Sequence, residues 1–287
     1  MTPCFFVSDL HGHKDRYLKL FQAIKTEKPR AVFLGGDLLP NPMLSMTSPD
    51  KSLDDFINGF LVAELNALQT LLGPHYPRVF TILGNDDGRY EEASMLDAAT
   101  SGVWEYIHDR SVNFGRFKIY GYSFIPPTPF LSKDWERYDV SRYVDPGCIS
   151  PENGWRSIPA SEKEMKYSTI QKDLELLTGS DTLENAVFLF HAPPYNTKLD
   201  RAALDGRMVD YVPLDVHVGS IAIQRFIEDR QPLLTLHGHV HESARLTGAW
   251  REKIHRSHLF SAAHDGPELA LVRMDLDHLS GATRELI

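Results

Sequence analysis

PLLTLHGHVH, residues 232–241, sets an apolar run of strand length directly before two histidines, His239 and His241, one residue apart. The run Pro232–Leu236 predicts a buried strand, and Gly238 is expected to break it. Four further runs have the same form: CFFVS (4–8), AVFLG (31–35), RVFTIL (78–83) and AVFLF (186–190). Runs this short and this rich in Val, Phe and Leu predict strands buried on both faces. Between the first two, Tyr17, Leu20, Phe21 and Ile24 fall at helical spacing. Between the next two, so do Leu53, Ile57, Phe60, Leu61, Leu68 and Leu72. Strands alternating with amphipathic helices predict an α/β domain. Toward the C terminus, SARLTG, SHLFSA and ELALVRMDLD alternate apolar and polar residues with no helix between them, which predicts a second, largely antiparallel sheet region. The expected fold class is therefore α/β, a layered sandwich of two β-sheets flanked by helices. The segment 123–160 is too long for an ordinary connection and rich in Pro, aromatic and Arg residues. It reads as an irregular insertion within a single domain of residues 1–287, followed by a helix over about 161–178.

Bulk properties exclude several classes. The chain has 287 residues, 42% of them hydrophobic, enough for one large core and too many for global disorder. Its formal charge of −9 argues against a sequence-independent grip on nucleic acid, which rests on many Lys and Arg contacts to phosphates. The two cysteines, Cys4 and Cys148, cannot form a disulfide framework, and Cys4 in its apolar run reads as a buried strand thiol. No apolar run approaches the length of a membrane span, and no signal peptide is visible. A cytoplasmic location is expected.

Each apolar run is followed at once by residues of metal-ligand type: Asp9 and His11 in SDLH, Asp37 in GGD, Asn85 in GNDD, His191 in HAPP, and His239 and His241 in GHVH. In open α/β sheets ligands bind beyond the carboxyl ends of the strands, so residues far apart in sequence can converge on one crevice. Residues i and i+2 of an extended segment point the same way, so Asp9 with His11, and His239 with His241, are expected to present paired ligands. The glycines before Asp37, Asn85 and His239 permit sharp turns and close backbone approach. Mixed carboxylate, imidazole and amide ligands suit Mn, Fe or Zn better than Ca or Mg.

The ordered series D-x-H, GD, GN, H and GHxH, spanning residues 9 to 241, resembles the calcineurin-like metallophosphoesterase superfamily. The resemblance implies two β-sheets packed face to face with helices outside. It also implies two divalent or mixed-valence transition metals, Mn or Fe with Zn as an option. Asp9, His11, Asp37 and His241 resemble the ligands of one ion, and Asp37, Asn85, His191 and His239 those of the second, with Asp37 bridging both. Two such ions, typically ~3.5–4 Å apart, lower the pKa of a bound water and clamp phosphoryl oxygens. The nucleophile would be a metal-bridging hydroxide, and the reaction hydrolysis of a small phosphate ester, such as a phosphodiester or nucleotide. The alternative is a non-catalytic or weakly catalytic metal-binding scaffold for a protein partner.

Single residues also have plainer readings. Asp9 could cap the following helix, and His191 alone would be a satisfied buried histidine. His237 is expected beside the site without binding metal. Asn85, Asp86 and Asp87 are the candidate catalytic residues, with one departure from the family pattern. The residue after Asn85 is commonly a histidine that protonates the leaving group, and here it is Asp86. An Asp ionised by a neighbouring cationic centre cannot donate a proton, which points to a substitute acid such as His13 or His217. His264 is a further rim residue. In the insertion, Phe124, Pro127, Arg137 and Arg142, together with His13, are candidate substrate-binding residues, and Phe130, Trp135, Trp155 and Arg156 are expected beside them in a lid or wall against an organic group and a second phosphate.

Overall fold

The computed structural model describes residues 1–40 and 55–287. Leu53, expected on the second helix, lies outside them. In chain order the first part comprises β1 (Pro3–Val7), α1 (Lys14–Glu27), β2 (Ala31–Gly35), α2 (a π-helical turn Ile57–Val62 running into Ala63–Leu72), β3 (Arg78–Ile82), α3 (Glu92–Ala99), β4 (Glu105–Tyr106), β5 (Arg110–Phe114) and β6 (Phe117–Tyr122). After the irregular segment come α4 (Glu162–Tyr167), α5 (Ile170–Thr178), β7 (Ala186–Phe190), the hairpin β8 (Met208–Val209) and β9 (Val212–Pro213), α6 (Ile221–Arg230) and β10 (Leu234–His237). The chain ends with α7 (Ser243–Thr247), β11 (Arg251–Ile254), β12 (Ser257–Ser261), β13 (Ala270–Asp275) and β14 (Thr283–Leu286).

Two six-stranded mixed sheets form the centre, in the orders β14-β13-β1-β2-β3-β4 and β11-β12-β10-β7-β6-β5. All five apolar runs are strands, but they divide: β1, β2 and β3 run parallel in the first sheet, and β7 and β10 run parallel in the second. Phe6, Phe33 and Phe80 from one sheet and Val187, Leu189 and Leu236 from the other are buried in one apolar cluster between the sheets. The other faces carry a second cluster under the helices. Tyr17, Leu20, Phe21, Ala23 and Ile24 of α1, and Ile57, Leu61, Leu65, Leu68 and Leu72 of α2, are its buried residues from those helices. Strands apolar on both faces are what this arrangement requires.

The C-terminal expectation needs correction. SARLTG is not a strand: Ser243–Thr247 is a helical turn closed by Gly248 at φ 71°, the left-handed conformation that glycine adopts at helix ends. The remaining strands do not form a separate antiparallel sheet. β12 joins the second sheet parallel to β10, whereas β13 crosses to the first and pairs antiparallel with β1, Cys4 opposite Met274. The helix expected over 161–178 is two, because Thr169 leaves helical geometry, bridges to Tyr138, and accepts the Lys172 N–H as a cap. Cys4 is buried and both cysteines are free thiols. Among the described residues no helix is long and apolar enough to cross a membrane.

Candidate metal centre

The five motifs meet where the carboxyl ends of the two sheets adjoin. β1, β2 and β3 deliver Asp9, Asp37 and Asn85; β7 and β10 deliver His191, His239 and His241. Backbone bonds stitch the loops together: Asp9 N–H donates to Gly36 O at 3.0 Å, His11 N–H to Asp37 O at 2.8 Å, and Gly238 N–H to His191 O at 2.9 Å. His239 N–H crosses between the sheets to Asp9 Oδ1 at 3.0 Å.

The side chains form two adjoining groups. In the first, His11 Nε2 and His241 Nε2 are 3.2 Å apart, and Asp9 Oδ1 is 3.2 Å from His241 Nε2. One ligand atom each from Asp9, His11, Asp37 and His241 all lie within 4.8 Å of one another. In the second, His191 Nε2 is 3.0 Å from Asn85 Oδ1 and 3.3 Å from Asp37 Oδ2. The His239 ring is inclined against His191, centroids 5.3 Å apart.

The electrostatics identify what these groups want between them. His191 Nδ1–H donates to Gly35 O at 2.8 Å, which fixes the ring and turns Nε2 toward Asp37 and Asn85. Burial disfavours the His191 cation, yet Asp37 overrides it and lifts the imidazole to about 10. His241 is likewise penalised by burial and then raised to about 9 by Asp9. The carboxyls of Asp9 and Asp37 are held below the ordinary range despite burial, because His241 faces Asp9 and His191 faces Asp37. Two buried carboxylates thus demand positive charge at this point. His239, by contrast, is held down to about 3 by burial and by His191, so it is a neutral imidazole. Convergent imidazole nitrogens and anionic oxygens around one demand for positive charge fit a metal centre.

The backbone achieves this differently from the extended pairing expected. Asp9, His11, Asp37 and His239 have φ of 57°, 46°, 52° and 73°, all left-handed. Such residues cost roughly 1–3 kcal/mol each and cluster where surrounding structure over-determines them. The short polar Asp and the His side chain tolerate this region better than most. The glycines act as foreseen. A Cβ on Gly84 would lie 2.5 Å from Asp37 N and 2.6 Å from His191 Cε1, and one on Gly238 would lie 2.7 Å from Asp9 Oδ2.

Asp86 and Asp87 separate into two roles. Asp87 is buried, and its carboxylate accepts from the N–H groups of Leu38, Leu39 and Gly84 at 2.7–3.1 Å, so it ties the loop after β2 to the loop after β3. That brace corrects its reading as a reacting group. Asp86 N–H donates to Asp37 Oδ1 at 2.8 Å, while its carboxylate stands at the rim, 3.7 Å from His11 Nδ1. Burial, then Asp37, push that carboxyl up to about 6. His237 is buried with both ring nitrogens bonded, to Ala192 O and Thr235 Oγ1, and is stacked on Phe190.

The insertion holds the loop that follows β3 and Asn85. Trp135 is fully buried and its Nε1–H donates to Asp87 O at 2.8 Å, while Asp134 accepts the Arg89 N–H at 2.9 Å. Phe124 is buried beneath Arg137, whose guanidinium lies 3.9 Å from the ring centre and pairs with Asp173 and Glu164. Arg142 is an exposed partner of Glu152. Phe124 and Trp135 therefore have no face left for a ligand, and Arg137 is already engaged by two carboxylates; the physical reason is that an irregular segment without a ladder must bury its own aromatic residues to hold a shape. Pro127 is half-buried, Phe130 and Trp155 are exposed, and His13 is exposed at the start of α1. His264 pairs with Glu268 at 2.9 Å. Sequence reasoning missed the supporting groups: Ser8, whose hydroxyl donates to Asp9 Oδ2, the Asp87 brace, and Asp134 with Trp135. Only adjacency in SDLH and GNDD hinted at the first two.

Residues 2–243 match the family model described as calcineurin-like phosphoesterase. The chain belongs to that family. Among solved structures it is similar to the protein TT1561 of Thermus thermophilus, with a TM-score of 0.55 and 13% identity over 99% of this chain and 98% of that one. It is also similar to a dimetal phosphatase from Danio rerio, with a TM-score of 0.54 and 12% identity over 99% and 95%. At these identities the likeness is one of fold. A 71-residue stretch is 38% identical to an uncharacterized protein of Methanocaldococcus jannaschii, covering 24% of this chain and 29% of that protein.

Proposed function

We propose that this member of the family is a dinuclear metal-dependent hydrolase of a small phosphate ester, a phosphodiester or a nucleotide. Asp9, His11, Asp37 and His241 hold one ion, Asp37, Asn85, His191 and His239 the second, and the ions are Mn or Fe, with Zn compatible with the same donors. The observation that carries this reading is the position of Asp37: it belongs to the close group with Asp9, His11 and His241, and its Oδ2 is 3.3 Å from His191 Nε2 in the other. The name of the Danio rerio neighbour, a dimetal phosphatase, supports the same reading.

When bound, the ions supply Lewis acidity and lower the pKa of a coordinated water. The chain's own residues do the rest. Asp9 and Asp37 provide the anionic oxygens, held ionised by the histidines that face them. Gly35 O aims His191 through Nδ1, and Asp87 locks the loop that carries Asn85. Two divalent charges against two carboxylates leave a local charge of about +2 in an otherwise acidic protein, which draws a phosphate to this crevice.

The test is metal-stripped protein with Mn restored, assayed on nitrophenyl mono- and diesters, beside the Asp37→Asn variant. The wild type should bind close to two ions per chain and turn over at least one ester. Asp37→Asn should lose metal and hydrolysis together, because an amide replaces the shared carboxylate. Normal metal content and turnover in that variant would refute the bridging role. Metal binding without turnover of any ester would favour the scaffold reading.

A further inference from the structure

We propose that His217 is the acid that protonates the departing oxygen of the substrate, with buried Asp200 as its positioning residue; the proposal rests on the phosphoesterase reading above. His217 Nδ1 lies 2.8 Å from Asp200 Oδ1. Asp200 is fully buried, and its two oxygens also accept the backbone N–H groups of Asn196 at 3.0 Å, Thr197 at 2.9 Å and Gly219 at 3.1 Å. A carboxylate gripped by three amide donors acts only as an acceptor, so the proton shared with the imidazole resides on Nδ1. Nε2 is then the ring nitrogen that exchanges protons outward, from a side chain 26% exposed. A buried carboxylate orienting one imidazole edge toward a reacting group is the arrangement general acid catalysis needs.

A simple loop clasp could make the same pair, and position decides between the two. The segment carrying His217 runs beside the residues that directly follow His191: Ser220 N–H donates to Pro193 O at 2.9 Å, and Tyr195 N–H to Ser220 O at 3.0 Å. Its antiparallel partner, Arg201 opposite His217, continues to Ala203, whose N–H donates to Glu242 Oε1 at 3.0 Å, one residue beyond His241. The segment that carries His217 is thus bonded to the backbone that follows His191, and the segment paired with it is bonded to Glu242, the residue after His241. Its backbone is also pinned from the insertion, where Asp139 accepts from Ser220 Oγ–H and from Ile221 N–H. His237, another histidine at these strand ends, has both nitrogens bonded inward.

In the step assigned to it, an attacking water gives one proton to solvent and its oxygen forms the new P–O bond. The bond to the leaving oxygen breaks, the electron pair stays on that oxygen, and it takes the proton from His217 Nε2. The imidazolium becomes neutral imidazole with Nδ1–H still on Asp200, and solvent restores the proton. One water is consumed, and an alcohol is released together with phosphate from a monoester or a phosphomonoester from a diester.

The experiment compares wild type, His217→Gln and Asp200→Asn as full-length, Mn-reconstituted protein on a nitrophenyl ester and on an alkyl ester. For His217→Gln, kcat/KM on the alkyl ester should fall by about 10²–10⁴, the effect of a positioned general acid. On the nitrophenyl ester, whose leaving group needs no proton, it should fall less than tenfold, with unchanged metal content and loss of the basic limb of the pH profile. Proton NMR of the metal-free wild type should show a downfield imidazole N–H signal, absent from both variants. If Asp200→Asn does not fold, His217→Gln still decides, because the three amide bonds of Asp200 do not involve the imidazole. Equal losses on both esters, no loss on the alkyl ester, or loss of metal would overturn the proposal. A wild type that turns over neither ester overturns the phosphoesterase reading with it, whereas wild-type turnover unaffected by His217→Gln overturns this inference alone.

Discussion

Replacing Gly84 with alanine tests whether the centre depends on backbone approach as well as on its ligands. The added Cβ would lie 2.5 Å from Asp37 N and 2.6 Å from His191 Cε1, against ordinary contacts of 3.4–4 Å, and would also meet Asp37 Oδ1. Asp37 and His191 sit at the ends of buried strands in different sheets, so neither can retreat without opening the seam between them. Relief requires a displacement of about 1 Å shared among ligands. An error of that size costs on the order of 10²-fold in activity, and overpacking costs about 1–3 kcal/mol, a fall of roughly 2–12 °C in melting temperature. Gly59→Ala is the control: nothing lies within 4 Å of its Cβ, and it sits inside α2, where alanine is the better helix former by roughly 1 kcal/mol. Metal content, nitrophenyl ester hydrolysis and melting with and without chelator would be measured together. Wild type and Gly59→Ala should be stabilised by metal, about 2.7 kcal/mol for each bound ion at a hundredfold excess over its Kd. Gly84→Ala should show little such gain. Full metal content with undiminished turnover in Gly84→Ala would refute the steric argument.

The insertion should behave as core. Trp135→Ala should cost about 3–5 kcal/mol in urea unfolding, whereas exposed Trp155→Ala should stay within about 0.5 kcal/mol; equal effects would refute the core role of Trp135. His108 is half-buried, its ring packed against Tyr122, Phe124 and Trp135, and its Nδ1 accepts the Ser123 N–H, which favours the neutral imidazole. Burial, then Arg89, Arg137 and Arg110, hold its pKa well below 6.5. The unfolded chain therefore takes up a proton below pH 6.5 that the folded chain refuses until its own lower pKa, and stability falls as pH drops through that window, by up to about 1.4 kcal/mol per unit from this group. His108→Gln should shallow that slope, and identical urea midpoints against pH for both proteins would exclude the assignment.

Much of the architecture was legible in the sequence because buried strands announce themselves by composition: all five apolar runs are strands, and α1 buries the four residues its periodicity selected. The short polar strands β5, β11 and β14, half-exposed at or near sheet edges, carry too little apolar signal to be read that way. SARLT misled because five residues fit either period, and Gly248 closing a helix decided it. The ligand types were written in the chain, since chemistry limits which side chains can sit beyond those strands. Their convergence on one crevice was expected as well; its geometry was not. Only the packing of the two sheets sets Asp37 beside His191 and brings His11 and His241 to 3.2 Å, through left-handed turns at Asp9, His11 and His239 that no local pattern specifies. The insertion shows the same division. Its aromatic and Arg residues looked like a wall for a ligand, but burying Trp135 against Asp87 O and pairing Arg137 with Asp173 and Glu164 are tertiary choices, made because an irregular segment must find its hydrogen-bond and charge partners wherever the surrounding fold supplies them.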